Sequence, residues 1–569
     1  MSTTYTPWAF LNDYRGLAYS GSWPTLPEMF KITVSRYGER ACFTIYDPER
    51  ISLSYQEALK KVEAAARWLY SRGIRRGDKV AITGKNIPEW SVAYLGILFA
   101  GAVVVPIDHQ LKNEEVDLLI KTAGARILFV DEDKYGYYTA NPGSLEAIVS
   151  LKRGMGTYLY DLDGPEAVIE AAEETDLAAI LFTSGTMGNP KGVMLTHLNL
   201  VSDCYLAQGT PLIILHTDVF YAILPLHHAY TMLAVFIECI SVGAELVFGK
   251  RMVTKAILKD LKEARITMLL GVPMLFNKML AGIVRGLREK GPLVYGLISG
   301  LMGVSGLIKK IFSVNPGKKM FRFILDKAGL TSIRICICGG GPLAPSVFRK
   351  YNQLGIDFVQ GYGLTETSPI ITINPIQRYK ETSVGKTCPQ VDMKILNPDE
   401  RGVGEVIVKG PMVMQGYYQM PDATAESFTA EGYLKTGDLG YMDGENYLYL
   451  TGRAKNMIVT GGGKNVYPEE IENEFQLFEE IDQILVRGFV SDKRMKTEGI
   501  EALVYPNPEF RNEAGAALTG EEARRRIEAI VAEVNQRLLP YQRIDRITIL
   551  EKPMEMTTTK KIKRDALSA

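Results

Sequence analysis

The sequence is poor in the side chains that build disulfide frameworks and metal clusters. Among 569 residues there are six cysteines and five histidines. The cysteines contain no Cys-x-x-Cys pair, and the histidines lack the His-Glu-x-x-His spacing of zinc peptidases. These absences argue against a disulfide-stapled secreted domain and a cysteine-based zinc site, and they indicate a reducing compartment.

A net charge is also absent, since 65 basic side chains balance 65 acidic ones. Holding nucleic acid through bulk charge needs a basic excess, so we expect no nucleic-acid partner. The longest apolar run, 93–107, is broken by Gly101 and Pro106 and is shorter than the roughly 20 residues that cross a bilayer. The start of the chain lacks the basic and apolar stretches of a signal peptide, and we expect a cytoplasmic protein.

Helix and strand patterns alternate along the chain. A capping threonine with a first-turn proline at 25–28 and a capping box at 54–57 predict two early helices. Short continuous apolar stretches, such as 79–83 and 127–130, predict strands buried on both faces. The fold class is therefore α/β, with parallel sheets covered by helices. From about 384 to 454, short alternating strands between glycine turns predict a small β-subdomain.

The pattern changes again near Lys455, where we place a domain boundary. Three glycines follow at 461–463, and then come strands at 483–487 and 499–505, a helix after Thr519 and a last strand near 547–550. That helix has the apolar spacing of a core-facing helix. We predict an N-terminal domain over 1–454 and a compact α+β domain over 455–569.

Residues 181–192 join an apolar strand to a loop of small residues that ends in a lone cation, Lys191. Glycines let backbone N–H groups converge on an anion, and hydroxyls add further donors, so the loop is suited to phosphate. Pro190 before the lysine and Gly192 after it do not fit the Gly-Lys-Ser/Thr phosphate loop of kinases. An ordinary surface turn is the alternative, because the same residue types make turns.

Two more glycine turns follow predicted strands, at 339–343 and 361–367. Open α/β sheets bind ligands at such strand ends. The glycines of the first turn have no side chains, which leaves room for a flat group. In the second turn Tyr362 offers a ring that can stack on a base. Glu366 supplies the hard oxygen ligand that Mg²⁺ prefers.

Two adjacent histidines follow the predicted strand 219–224. Neighbouring side chains at a strand end point to opposite sides, so we expect no shared metal ligation by His227 and His228. One buried and one exposed structural histidine is as consistent with the sequence as a functional pair.

These stretches resemble, in order, the signature sequences of the adenylate-forming superfamily, which includes acyl-CoA synthetases, peptide-synthetase adenylation domains and beetle luciferases. The matching segments are 183–192, with Met187 in place of the usual second threonine, Tyr362–Glu366, Tyr433–Asp438, Arg453 and the Lys-Ile-x-Arg tail at 561–564. The resemblance runs from about Tyr55 to Arg564. It implies two sandwiched, mostly parallel sheets followed by a small mobile C-terminal lid domain.

The resemblance also implies a role for each matched residue. ATP is bound by Thr183, Ser184, Gly185, Thr186, Gly188 and Lys191 at the phosphates, by Gly340, Gly341, Pro342, Gly361, Tyr362, Gly363 and Thr365 around the adenine, and by Asp438 and Arg453 at the ribose. Thr186 and Glu366 hold Mg²⁺, while His228 flanks the acyl pocket and Lys561 enters the site during adenylation. Lys455 is the hinge of a rotation that brings Gly461, Gly462 and Gly463 to coenzyme A. Because Lys560 replaces the usual glycine, Lys563 is the alternative catalytic lysine, and we favour Lys561.

The resemblance therefore implies an AMP-forming ligase that joins a small carboxylic acid to coenzyme A with ATP. The long-chain fatty acyl-CoA branch fits best, because an apolar and basic insertion at 285–327 is more similar to long-chain than to short-chain enzymes. Three alternatives stay open: a fatty acyl-AMP ligase that serves a carrier protein, an aryl or alicyclic acid–CoA ligase, and a non-catalytic nucleotide-binding regulator. The insertion is either helical and packed on the domain or an amphipathic surface that contacts lipid.

Overall fold

The computed structural model describes residues 6–183, 190–210, 212–250, 253–460, 464–492, 497–508, 510, 520–557 and 562–564. Within these ranges the strands form four sheets, of thirteen, seven, two and three strands. In spatial order, the thirteen strands are Asp392–Leu396, Gly404–Lys409, Leu434–Met442, Tyr447–Arg453, Gly385–Thr387, Thr372–Ile373, Asp357–Tyr362, Ile335–Cys338, Met268–Gly271, Val219–Ala222, Glu245–Phe248, Ala41–Ile45 and Ile51–Ser54.

The seven-stranded sheet has a parallel centre and an antiparallel edge. Its strands, in spatial order, are Gly416–Tyr417, Lys191–Thr196, Leu177–Thr183, Val103–Ile107, Lys79–Thr83, Ile127–Val130 and Ala147–Ser150. The two smaller sheets consist of Ile458–Val459 with Asn465–Val466, and of Ile481–Asp492 with Thr497–Pro506 and Arg546–Ile549.

The helices of the described residues cover the faces of these sheets. The α-helices are Leu26–Tyr37, Tyr55–Ser71, Pro88–Phe99, Asn113–Ala123, Glu132–Ala140, His197–Gln208, Ala229–Thr231, Glu238–Val242, Thr254–Glu263, Pro273–Arg288, Pro292–Phe312, Gly317–Met320, Arg322–Lys327, Pro345–Gln353, Pro421–Glu426, Pro468–Asn473 and Gly520–Arg537. A π-helical segment, Met232–Ile237, joins two of them.

One large core lies between the two main sheets. Helices Pro88–Phe99 and His197–Gln208 are buried on almost every side and share this core with Phe43 of one sheet and Val104 of the other. Pro88–Phe99 is apolar on nearly all sides, and a helix of this kind is buried in a core. Separate clusters cover the outer faces of the two sheets, and another fills the C-terminal unit. The predicted α/β class with two large sheets is confirmed.

Several local predictions are confirmed by hydrogen bonds. Both Thr25 and Ser54 form capping boxes with the glutamates three residues later, and the strand Lys79–Thr83 has its predicted bounds. Two details differ. Residues 191–196 form a strand antiparallel to Leu177–Thr183, which no pattern in the sequence indicated, and the strand predicted over 219–224 ends at Ala222.

The strands of the predicted β-subdomain continue the large sheet. Gly361 pairs with Ile373, Thr372 pairs with Thr387, and Gly385 pairs with Leu448, all antiparallel. The parallel strands and the hairpin 434–453 therefore belong to one hydrogen-bonded ladder.

The insertion forms a long helix, Pro292–Phe312, with one packed edge. Ile298, Met302, Ser305 and Lys309 are buried, and the ammonium of Lys309 lies 2.6 Å from Asp357 Oδ1. Among the described helices, this is the one that is long and apolar enough to cross a membrane by length and composition. The helix therefore packs on the domain along one edge and exposes its opposite face.

Candidate functional site

A cavity of about 2990 Å³ lies where the glycine turns meet the C-terminal unit. The sequence-predicted residues that line it are Thr183, His228, Gly340, Gly341, Pro342, Gly361, Tyr362, Gly363, Thr365, Glu366, Asp438, Arg453 and Lys455. Ser184, Gly185, Thr186, Gly188, Gly461, Gly462, Gly463 and Lys561 lie outside the described residues.

The ends of the first predicted loop are held by a strand pair. Thr183 is the register partner of Lys191, and its hydroxyl donates a hydrogen bond to the Lys191 carbonyl at 3.4 Å. This pairing holds Lys191 beside Thr183 and next to Pro190 in the chain; both of these neighbours line the cavity, whereas Lys191 itself does not.

Tyr417 connects the two charged residues of the predicted phosphate and metal region. Its phenol donates a hydrogen bond to Glu366 Oε1 at 2.9 Å, and the Lys191 ammonium lies 4.6 Å from the centre of its ring. Burial, and next the Glu366 carboxylate, raise the pKa of Tyr417, so the phenol stays a donor. The Met414 N–H donates to the Glu366 carbonyl at 2.9 Å, which fixes the backbone of the same residue.

Asp438 also lines the cavity, and its carboxylate contacts Tyr362 and Arg453. The Tyr362 phenol donates to its Oδ2 at 2.7 Å, and the Arg453 guanidinium lies 2.8 Å from its Oδ1. Asp438 and Arg453 face each other across the hairpin 434–453, which explains how residues fifteen positions apart meet. Burial, and next the Asp438 carboxylate, raise the pKa of Tyr362 well above its usual value.

The glycine turns pass too close to neighbouring atoms for larger residues. A Cβ on Gly363 would lie 1.6 Å from the Pro369 carbonyl oxygen, and Gly340 has a φ of +77°. The Tyr230 ring packs against Gly339, where a Cβ would lie 3.1 Å from the ring. Close packing and a positive φ therefore favour glycine in these turns, which line the cavity without side chains at these positions.

The two adjacent histidines do not point to opposite sides, so that prediction is wrong. Their ring centroids are 4.1 Å apart, at an angle of 46°. The strand ends at Ala222, and His227 lies in a turn while His228 precedes the helix that starts at Ala229. Strand alternation does not apply to residues outside the strand.

The C-terminal unit contacts the first glycine turn through Gln476. Its amide nitrogen donates to the Pro342 carbonyl at 3.0 Å, and its amide oxygen accepts the Ala344 N–H at 2.8 Å. In the tail, the Arg564 guanidinium donates to both oxygens of Glu472 at 2.6 Å. The residues that flank Lys561 on its C-terminal side are thereby anchored to the unit.

The donor chemistry of Glu366 fits a magnesium ion. Its carboxylate lines the cavity and is oriented through one oxygen by Tyr417, and carboxylate oxygen is the ligand type that Mg²⁺ prefers.

The sequence did not indicate Tyr417. A Gly-Tyr pair alone is not a recognisable sequence motif. Tyr417 is brought to the site because the strand Gly416–Tyr417 pairs with Met194 and Val193 beside the predicted loop.

Comparisons with known proteins agree with this geometry. Residues 30–418 match the family model of the AMP-binding enzymes. The chain is 30% identical over 553 residues to the long-chain-fatty-acid–CoA ligase FadD15 of Mycobacterium bovis, covering 90% of each protein. It is 29% identical to a feruloyl-CoA synthase of Amycolatopsis sp., covering 85% of this chain and 88% of that protein.

A solved structure shares the fold. The o-succinylbenzoate coenzyme A synthetase of Bacillus subtilis, in complex with ATP and magnesium, has a TM-score of 0.73 at 23% identity and covers 95% of this chain and 99% of its own. Since the family model matches more than half of the sequence, the resemblance drawn from its motifs is confirmed, and the chain belongs to the AMP-binding enzyme family.

Proposed function

We propose that the protein is an ATP-dependent acyl-CoA synthetase that activates a medium- or long-chain fatty acid. The observation that carries the proposal is the convergence of Glu366, Asp438 and Arg453 with two glycine turns on one cavity. A carboxylate is a poor acyl donor because its oxide leaves poorly. Conversion to an acyl-adenylate replaces that oxide with AMP.

In the first step, a carboxylate oxygen attacks the α-phosphorus of ATP, and the bond to pyrophosphate breaks. Such a step needs alignment and charge compensation more than covalent help. Lys191 and the hydroxyls of the 183–188 loop bind the β- and γ-phosphates. We assign Lys561 the position between the carboxylate and the α-phosphate, as the family resemblance implies. Magnesium, when bound at Glu366 and Thr186, neutralises further phosphate charge.

Asp438 positions the nucleotide by accepting the ribose hydroxyls. Tyr362 and Arg453 hold its two oxygens, so the carboxylate is oriented before ATP arrives. The open backbone of 340–342 and 361–363 lines the adenine. Preorganised groups of this kind lower the entropy that binding costs.

The second step is attack of a thiol on the acyl-adenylate. All six cysteines are buried, and burial raises the pKa of every one of these thiols. A thiol of the chain is therefore a poor nucleophile, which supports coenzyme A as the external thiol. We propose that the domain 455–569 rotates about Lys455 between the steps and brings 461–463 to the pantetheine.

The apolar wall of the cavity supports a fatty acyl substrate. The cavity that His228 lines is also lined by apolar side chains: Ala234, Leu270, Val272, Met274, Leu280 and Ile337. The relatives include both a fatty acid ligase and a feruloyl-CoA synthase, so an aryl acid is the second candidate.

AMP release tests the proposal. Purified protein with ATP and magnesium receives acetate, octanoate, palmitate, benzoate or ferulate, each with and without coenzyme A. Release that needs coenzyme A and peaks with a fatty acid is expected. A peak with ferulate identifies an aryl ligase, adenylate that accumulates without transfer to coenzyme A identifies a carrier-dependent ligase, and ATP binding without release identifies a regulator.

We also propose that the protein is a cytoplasmic enzyme that contacts an anionic lipid surface through the insertion. One face of helix Pro292–Phe312 carries large apolar side chains that are 39–88% exposed: Leu293, Leu297, Leu301, Val304, Leu307 and Ile311. Residues 285–327 contain nine lysines and arginines and two acidic residues. An exposed apolar stripe with basic flanks matches the chemistry of an anionic bilayer surface.

Vesicle sedimentation tests this contact. The protein is expected to pellet with phosphatidylglycerol vesicles, more weakly with phosphatidylcholine vesicles, and to lose binding in the double variant Leu297→Glu, Leu301→Glu. Leu118→Glu is the matched control, because Leu118 is 52% exposed on another helix. Equal binding by wild type and the double variant would overturn the proposal.

A further inference from the structure

Three potential metal ligands meet at the ends of strands from the two main sheets. Asp108 and His109 follow the strand Val103–Ile107, and His227 lies beyond the strand Val219–Ala222. One ligand atom from each of the three side chains lies within 4.8 Å of the other two. No motif spacing in the sequence indicates this cluster, since 118 positions separate His227 from His109.

The contacts inside the cluster are longer than hydrogen bonds. His227 Nε2 lies 3.6 Å from Asp108 Oδ2, and His109 Nδ1 lies 4.0 Å from Asp108 Oδ1. Both of these imidazole nitrogens are buried and have no hydrogen-bond partner among the described residues. Asp108 Oδ1 accepts the Gln110 N–H at 2.8 Å, which orients the carboxylate.

Leaving buried polar atoms unpaired is costly, so such atoms call for a ligand. The side chains of His227, Asp108 and His109 are 8%, 11% and 20% exposed. Imidazole nitrogens are common metal ligands.

We propose that Asp108, His109 and His227 bind one divalent transition-metal ion of the zinc class. Two imidazole nitrogens and a carboxylate oxygen are the ligand types of zinc sites, whereas magnesium prefers oxygen alone. In a tetrahedral zinc site neighbouring ligand atoms are about 3.3 Å apart. Small side-chain rotations close the observed separations to that distance.

The fourth position opens on the cavity, which Asp108 and His227 both line. The ion joins the two sheets beside His228, so it fixes the segment that carries a proposed acyl-pocket residue. It is distinct from the magnesium that we assign to Glu366. The proposal concerns binding, and it holds or fails independently of the ligase activity.

Cobalt(II) tests the site, because its visible spectrum reports tetrahedral coordination by nitrogen and oxygen. The full chain, freed of any polyhistidine tag and of metal, is titrated with Co²⁺ in excess Mg²⁺. We expect one Co²⁺ per chain with a tetrahedral visible band, and displacement of the band by one equivalent of Zn²⁺.

The variants His109→Gln, Asp108→Asn and His227→Gln are each expected to weaken Co²⁺ binding at least about tenfold. His216→Gln is the matched control, since His216 stacks on Tyr37 and lies outside the cluster, and Glu366→Gln controls for the magnesium site. Both controls keep the band, and circular dichroism confirms that each variant is folded.

A missing band in folded wild type, or a band that survives His109→Gln, would overturn the proposal. His109 is the most exposed of the three side chains, so its variant is the least demanding for folding.

Discussion

Tyr417 donates its phenolic hydrogen to Glu366 while its ring faces the ammonium of Lys191. One side chain thus contacts both charges that we assign to the phosphates and the metal. Tyr417 lies on an edge strand of the seven-stranded sheet and links that sheet to the turn 361–367. A substitution of Tyr417 therefore alters the site without removing a charged group.

Tyr417→Phe removes the donor to Glu366 and keeps the ring under Lys191. A hydrogen bond to a charged group contributes about 1.5–3 kcal/mol, so we expect kcat for adenylation to fall roughly tenfold or more. The apparent Mg²⁺ requirement should rise. Pyrophosphate release as a function of Mg²⁺ measures both. Tyr418→Phe is the control, because that phenol donates to Ala123 at 3.4 Å, and equal effects of the two variants would contradict the assignment.

Asp438→Asn removes the charge that Arg453 and Tyr362 hold. We expect KM for ATP to rise about ten- to a hundredfold, while KM for the acid stays within a factor of about two. Steady-state kinetics with each substrate varied in turn separates the two constants. Asp443→Asn makes the same change in the same hairpin, where Asp443 pairs with Lys380 at 2.6 Å. A similar rise of KM for ATP in that control would argue against a ribose contact.

The tail lysines are distinguished by their half-reactions. Lys561 is the favoured catalytic residue and Lys563, which lies 3.6 Å from Glu555, is the alternative. Lys561→Ala is expected to slow adenylate formation by about a hundred- to a thousandfold and to spare thioester formation from preformed acyl-adenylate. Lys563→Ala should leave the rates of both half-reactions unchanged. Rapid-quench assays of each half-reaction decide, and the reverse pattern would assign catalysis to Lys563.

Glu238 makes the stability of the protein depend on pH. Burial raises the pKa of its carboxyl to about 8, and contacts with Cys204 and Gln208 lower it only in part. The unfolded carboxyl has a pKa of about 4.3. Stability from this group is therefore fully present below that value and is lost as pH rises to about 8, by up to about 1.4 kcal/mol per pH unit.

Glu238→Gln removes this dependence. We expect the variant to gain stability relative to wild type at pH values near 8 and to gain none near the unfolded pKa of about 4.3. Urea midpoints at the two pH values measure the difference. Glu263→Gln, on a side chain that is 46% exposed, controls for the loss of a carboxylate. A gain that is equal at both pH values would be inconsistent with a neutral buried carboxyl.

The sequence predicted those helices and strands whose signals come from residues close together along the chain. Ser54 caps its helix through Glu57 three positions away, and the contiguous apolar stretch 79–83 forms the predicted strand. The family was also readable, because Tyr362–Glu366 and the other motifs are short and contiguous. The predicted ligand roles of these residues, and the hinge at Lys455, stay predictions.

Contacts between distant residues were not readable from the sequence. Tyr417 contacts Glu366 from an edge strand of only two residues. A strand this short shows no alternation of apolar and polar residues in the sequence. His227 lies close to Asp108 because the ends of strands from two sheets meet there. The sequence shows only that His227 is adjacent to His228. In both cases the information lies in tertiary packing.

Gln476 contacts the turn 342–344 through main-chain atoms alone, a carbonyl and an N–H. Main-chain atoms are the same for every amino acid, so this contact tolerates sequence drift in the turn as long as its path is kept. Two side-chain contacts differ in this respect, because Asn277 donates to Gln476 at 3.4 Å and Arg285 lies 3.2 Å from Glu479, and both Asn277 and Arg285 line the cavity. A substitution at either of them therefore alters the cavity wall and the docking of the C-terminal unit together.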